Sequence, residues 1–266
     1  MNPLDTAVGF SSSFLFVPAT RPERFIKALD SGADGVILDL EDAVSEKDKD
    51  QARAAIRSAW PSFSPEQKRR LVIRSNSPGS HFYAADLILA QELDIGCLLI
   101  PKSESLDQIN GAAQILPNTA IIPMIETALG LHHLDEIANS EQVLRLALGN
   151  LDLQADLGMV CDPQETELQT ARFRIVLASR LAQIAPPIDG VTPSTDDIER
   201  ITDDAQRAKG LVKAAFMPTA EELSWAERVI AADKASKGGA VKLDGRMIDR
   251  PVVLLAQRTL AIAGKP

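Results

Sequence analysis

Apolar residues along this chain fall in short runs separated by amphipathic stretches, and the alternation repeats. The runs at 12–19, 35–42, 71–76, 97–103, 120–127, 144–152, 188–194 and 211–218 are bounded by polar residues, Gly or Pro and predict buried strands. Between them, residues 22–31, 47–60, 81–93, 106–116, 129–139, 165–184 and 196–209 predict helices with one buried face. In the first of these, Phe25, Ile26 and Leu29 follow the helical spacing and Pro22 suits a first turn. Eight strand–helix units in about 220 residues is the arithmetic of an α/β fold of the (β/α)8 TIM-barrel type. A doubly wound open sheet is the competing architecture, but no Gly-rich fingerprint follows the first run. A further helix is expected over 219–237, then a polar tail over 241–251 and a last helix to about residue 263. Residues 1–240 are thus expected to form the catalytic barrel. Residues 241–266 are expected to be an appended tail and helix, not an independent domain, that contacts a neighbouring subunit.

Composition narrows the class. The chain has 266 residues, 45% hydrophobic but only 4% aromatic, so the core must be built from Ala, Leu, Ile and Val, as in buried parallel strands. The net charge of −9 and the lack of any basic run of five residues exclude nucleic acid and anionic membranes as partners of the whole surface. The two cysteines, Cys97 and Cys161, form no CxxC pair, and Cys97 opens an apolar run as a buried core thiol would. With no disulfide framework, no signal-peptide pattern at residues 1–5 and no membrane-length apolar run, a cytoplasmic location is expected.

The chemistry gathers where the apolar runs end. In a barrel the working groups stand at the C-terminal ends of the strands. Those ends here read Asp39-Leu40-Glu41-Asp42, Arg74-Ser75-Asn76, Pro101-Lys102, Glu126-Thr127 and Asn150-Leu151-Asp152. Glu126 and Asp152 each close an apolar run. Carboxylates so placed suit Mg²⁺, which takes oxygen ligands and often only one or two protein carboxylates; solvated loop acids, or a helix N-cap in the case of Asp152, are the alternative. Arg74, at the end of Leu71-Val72-Ile73, needs an anion: a structural ion pair with Glu41 or Asp42, or a clamp on a substrate carboxylate or a developing enolate. Glu41 and Asp42 form a dense acidic pair, assigned behind the metal rather than on it; a salt bridge to Arg74 or Lys47, or a helix cap, is the alternative. The three histidines make no ligand set, since His132 and His133 are adjacent and His81 stands at a helix start, so zinc is not expected. No GxSxG or Walker loop occurs, which argues against serine-nucleophile hydrolysis and P-loop phosphoryl transfer.

Several segments resemble one family. Ser13-Phe14-Leu15-Phe16-Val17-Pro18-Ala19-Thr20-Arg21-Pro22-Glu23 is similar to the opening of the citrate lyase β-subunit-like branch of the HpcH/HpaI aldolase family. The resemblance continues through Asp39-Leu40-Glu41-Asp42-Ala43-Val44 with Lys47 and Arg53, Val72-Ile73-Arg74-Ser75-Asn76, and Ile100-Pro101-Lys102. It runs on through Ile125-Glu126-Thr127-Ala128 and Gly149-Asn150-Leu151-Asp152, and ends with the stretch from Asp244 to Pro251. It implies a (β/α)8 barrel, a homotrimer or hexamer, and Mg²⁺-dependent cleavage or formation of a C–C bond. The implied substrates are β-hydroxyacyl thioesters on coenzyme A or an acyl carrier, of citryl, citramalyl or malyl type. By matching motif, Arg74 would bind substrate, Glu126 and Asp152 would hold the metal, with Glu126 also facing substrate, and Asp249 would be an acid/base group from an adjacent subunit. The chain departs from the pattern at Met217, where relatives commonly carry His; a thioether cannot donate a proton. Two other readings stay open, a non-catalytic thioester-binding or partner subunit and an aldolase acting on free keto acids.

Overall fold

A computed structural model describes residues 7–194, 196–211, 218–235 and 241–263. Its main sheet has six parallel strands in sequential order: β1 (Phe14–Pro18), β2 (Gly35–Asp39), β3 (Leu71–Arg74), β4 (Cys97–Ile100), β5 (Ala120–Ile125) and β6 (Ala147–Leu148). Helices intervene, among them Lys49–Ala59, Tyr83–Glu92 and Leu106–Ile115. Two starts carry capping boxes, Ser64 with Gln67 and Ser105 with Gln108, which satisfy orphan N–H groups at each end.

Alternate strand residues feed two cores. Leu38, Ile73, Leu98, Ile100, Ile121 and Leu148 pack on the helices. Ile37, Val72, Cys97, Leu99, Ile122 and Met124 pack with one another and with Val8. A face buried chiefly by strand residues is the concave side of a curled sheet, so the fold is an α/β half-barrel. Next to β6, Ile188 makes a single parallel bridge to Ala147, so the expected strand 188–194 reduces to that contact. Of the expected strand 211–218, Leu211 ends the helix Ile198–Leu211, and residues 212–217, with Met217, lie outside the described residues.

Other boundaries move for local reasons. The stretch 144–152 gives only two strand residues, because a helix, Asn150–Asp156, starts directly after Gly149. Asp152 therefore stands in a first helical turn, not at a strand end. The expected helix 129–139 divides into Ala128–His132 and Leu134–Ala138, with His133 between them. The helix expected from 165 starts at Gln169, because Glu165 takes a left-handed backbone with φ of 52°.

The chain divides into two compact units, Met1–Val212 and Lys213–Pro266. In the second, the helix Ala220–Ala235, a hairpin of Val241–Leu243 with Arg246–Ile248, and the helix Arg250–Ile262 enclose Ala226, Val229, Ile248, Val253, Ala256 and Leu260. Asp244 and Gly245, both at positive φ, make the tight turn of that hairpin. Among the described residues no helix is long and apolar enough to cross a membrane.

Candidate active site

Strand register builds the first half of the site. Asp39 and Arg74 are the last residues of β2 and β3 and lie opposite each other. The Arg74 guanidinium donates from Nε and NH2 to the two Asp39 oxygens at 2.7 and 2.6 Å, a bidentate pair, and lies over the Phe16 ring at 4.9 Å. Its NH1 is 3.0 Å from Glu41 Oε2. The expected partner was Glu41 or Asp42; Glu41 does contribute charge, but Asp39 makes the hydrogen bonds. Burial works against the charged guanidinium, yet Asp39, followed by Glu41 and Asp42, raises its pKa above the ordinary value. Asp39 also accepts from the backbone N–H of Glu41 at 2.8 Å and of Ala43 at 3.2 Å, which fixes the acidic loop after β2.

A buried lysine completes that loop. Lys49 Nζ donates to the carbonyls of Leu40 and Glu41, both at 2.7 Å. Lys47, singled out from the sequence, is exposed. The helical period was the available signal: Lys49, Ala52, Arg53 and Ile56 share the buried face. Arg53 reaches Asp86 at 2.7 Å, and Asp86 accepts from the backbone and side-chain N–H of Asn76, which holds the turn after β3.

The second half centres on Glu126, one residue past β5 and 1% exposed. Its Oε1 accepts from the backbone N–H of Lys102 at 2.7 Å. That N–H is aimed by a left-handed backbone at Lys102, φ 47°. The Lys102 ammonium stands 2.6 Å from Glu41 Oε1 and 3.9 Å from Glu126 Oε1. On its other side Glu126 abuts Gly149, where an added Cβ would fall 2.2 Å from Oε2. Burial first, then the negative charges of Glu41 and Asp152, push the Glu126 carboxyl up to about 8 against the pull of Lys102. Burial likewise raises Glu41, opposed by Lys102 and Arg74. Glu41 Oε2 is buried without a hydrogen bond; its 3.0 Å approach to Arg74 is charge contact without hydrogen-bond alignment.

The structure thus brings Arg74, Glu41, Glu126 and Lys102 together, with the charge of Asp152 felt at Glu126 and that of exposed Asp42 felt at Glu41, Arg74 and Lys102. Among the described residues no three His, Cys, Asp or Glu side chains form a metal-binding group. What the site offers is carboxylate oxygens in a field of negative charge that Arg74 and Lys102 only partly offset, with one buried carboxylate oxygen, Glu41 Oε2, lacking a hydrogen bond. That fits a hard divalent cation that completes its shell with water. The histidines stand apart: His133 Nδ1 contacts Glu104 O at 2.8 Å, and His81 stacks on Phe82. The Cys97 thiol, pushed up to about 12 by burial, is an inert core group. Asp249 belongs to the second unit, where it is exposed and its carboxylate caps the last helix by accepting from Val252 N at 3.2 Å.

These acids and the guanidinium gather at the C-terminal ends of parallel strands, the end at which barrel-type α/β enzymes carry their working groups. A model of the family described as HpcH/HpaI aldolase/citrate lyase matches residues 12–214. The citrate lyase subunit beta-like protein of Mycobacterium tuberculosis is 33% identical over 273 residues, spanning 95% of each chain. Citrate lyase subunit beta of Leuconostoc mesenteroides subsp. cremoris is 31% identical over 281 residues, spanning 94% of this chain and 92% of its own. The crystal structure of protein CitE from Mycobacterium tuberculosis, in complex with magnesium, acetoacetate and coenzyme A, has a TM-score of 0.79 at 33% identity, covering 95% of this chain and 97% of that one. The chain belongs to the HpcH/HpaI aldolase/citrate lyase family.

Proposed function

We propose that this protein is a Mg²⁺-dependent carbon–carbon lyase. It cleaves a β-hydroxyacyl thioester of citryl, citramalyl or malyl type by retro-Claisen chemistry, giving a shorter acyl-thioester and a keto acid. The observation that carries the reading is the Arg74 guanidinium, fixed by Asp39 and joined through Glu41 and Lys102 to the buried carboxylate of Glu126. The relative that contains magnesium, acetoacetate and coenzyme A supports the choice of ion and of thioester.

Glu126 and Asp152 are the residues that would hold the ion, and Glu41 and Asp42 supply negative charge behind it. When bound, Mg²⁺ supplies Lewis-acid polarisation of hydroxyl and carbonyl oxygens. Arg74 offers the N–H donors that Asp39 does not occupy to the negative charge that develops as the C–C bond breaks. Because Asp39 holds the guanidinium rigid, little reorganisation accompanies that charge. By the family motif Glu126 also faces the substrate. Asp249, from the tail of an adjacent subunit, is assigned the proton transfer at the hydroxyl; this follows the family motif, and its exposed carboxylate is accessible for the role. The sheet is taken as part of a complete (β/α)8 barrel in a homotrimer or hexamer acting in the cytoplasm. The free thiols Cys97 and Cys161 agree with a reducing compartment.

The test is a panel of hydroxyacyl-CoA esters with purified full-length protein and Mg²⁺, read by release of pyruvate, glyoxylate or oxaloacetate. Keto acid from at least one ester, abolished by EDTA, is the expected result. Cleavage that persists in Glu126→Ala or Asp152→Ala without metal sinks the scheme.

A further inference from the structure

Asp152 is aimed by its helix rather than by its own bonds. Among the described residues nothing hydrogen-bonds its carboxylate, so its direction follows from the backbone of Asn150–Asp156. That short helix is held at both ends. At the far end Asp156 Oδ2 accepts from Ala128 N at 2.6 Å, two residues beyond Glu126. At the near end the Asn150 amide is fully engaged: Nδ2 donates to Glu165 Oε1 at 2.7 Å and to Val191 O at 3.0 Å, and Oδ1 accepts from Val191 N at 2.9 Å. The approach requires Gly190, where a Cβ would lie 2.3 Å from Asn150 Oδ1.

Glu165 is the anchor of this arrangement. It is buried and in the left-handed backbone region that residues with a Cβ seldom adopt, so surrounding contacts must hold it there. Arg172 NH2 bonds its Oε2, and Arg207 approaches the same oxygen at 3.5 Å. Its Oε1 receives Asn150 and, at 3.4 Å, Gln154 Nε2. Asn150 and Gln154 are four residues apart and so lie on one face of the helix that carries Asp152.

We propose that Asn150, held by Glu165, is a positioning residue that sets where Asp152 stands relative to Glu126, and so tunes the affinity of the site for a divalent cation. The inference rests on the Mg²⁺ reading. Groups that orient metal ligands from behind change affinity by about 10–100-fold when removed. Calorimetric titration of Mg²⁺ into the substrate-free full-length protein is the test. Asn150→Ala is expected to weaken Mg²⁺ binding at least ~10-fold, with kcat recovering at saturating Mg²⁺. Gln154→Ala, half-buried and safer for folding, is expected to weaken it about 2–5-fold through the longer bond. Thr192→Val removes a 2.9 Å bond to Asp204 beside the same charged group without touching Asn150, and should leave Mg²⁺ affinity within about twofold. Unchanged affinity in both Asn150→Ala and Gln154→Ala overturns the inference, as does an equal loss in Thr192→Val. Absence of Mg²⁺ binding by the unsubstituted protein overturns the metal reading itself and this inference with it.

Discussion

Gly149 touches Glu126 so closely that no side chain fits between them. A methyl at position 149 would meet Glu126 Oε2 at 2.2 Å and its Cβ at 2.5 Å. The Gly149 backbone has φ of −93°, ordinary for any residue, so contact alone dictates glycine here. The strand ladder enforces the approach, because Gly149 N donates to Ile125 O at 3.0 Å, directly before Glu126. Gly149→Ala is expected to displace the carboxylate and lower kcat/KM at least ~100-fold. The overpacking should cost about 1–3 kcal/mol of stability, read by denaturant unfolding.

Mg²⁺ uptake should release a proton. With Glu126 pushed up to about 8, the metal-free carboxyl is mostly protonated at neutral pH and must ionise to bind a cation. Apparent Mg²⁺ affinity is therefore expected to rise about tenfold per pH unit below pH 8 and to level off above it. Titration calorimetry in buffers of different ionisation enthalpy counts the proton, and Glu126→Gln should abolish it.

The same group gives the metal-free protein a pH-dependent stability of definite sign. Its folded pKa lies above the unfolded value of 4.5, so between pH 4.5 and about 8 the folded state binds more protons than the unfolded one. Stability from this group accordingly falls as pH rises through that window, by up to about 1.4 kcal/mol per unit. Thermal unfolding in EDTA against Mg²⁺ should show the largest stabilisation by the ion at the upper end of the window.

Arg74 and Asp39 can be separated into structural and chemical contributions. Arg74→Met leaves Asp39 buried without its partner and should cost about 3–5 kcal/mol. The double variant Asp39→Asn, Arg74→Met removes both charges and should recover most of that loss in chemical denaturation. Turnover in the double variant should stay at least ~100-fold down, because no guanidinium remains to face the developing charge. Recovery of turnover along with stability would make Arg74 a structural residue only.

Lys49→Met should loosen the acidic loop. The carbonyls of Leu40 and Glu41 lose a buried donor, at about 1–3 kcal/mol each when left unsatisfied. A lower Tm and reduced kcat/KM are expected, whereas Lys47→Met, on an exposed side chain, should change neither.

The alternation of strand and helix was legible because β1 to β5 are short apolar runs bounded by polar residues. Runs of that kind settle close to where the pattern puts them. The stretch 144–152 misled because Gly149 reads as the interior of an apolar run, whereas its contact with Glu126 and the helix behind it are non-local facts. Arg74, Glu126 and Glu41 were visible as charges at the ends of apolar runs. Nothing local in the sequence marks Asp39 as the principal partner of Arg74, because register, not sequence distance, makes them neighbours. Lys49 was within reach, one helical face away from the exposed Lys47. Glu165 gave no local sign, since its place is set by Arg172 and by Asn150, fifteen residues earlier.

Lys102 serves its two acidic neighbours with different parts of itself, the peptide N–H for Glu126 and the ammonium for Glu41. A lineage can therefore exchange the side chain, and with it the charge beside Glu41, while inheriting the anchor of Glu126 unaltered. Glycine or asparagine would keep the left-handed bend at less strain. Under the proposed reaction, substitution at this position changes the charge met by an acyl substrate and leaves the Glu126 carboxylate where it was.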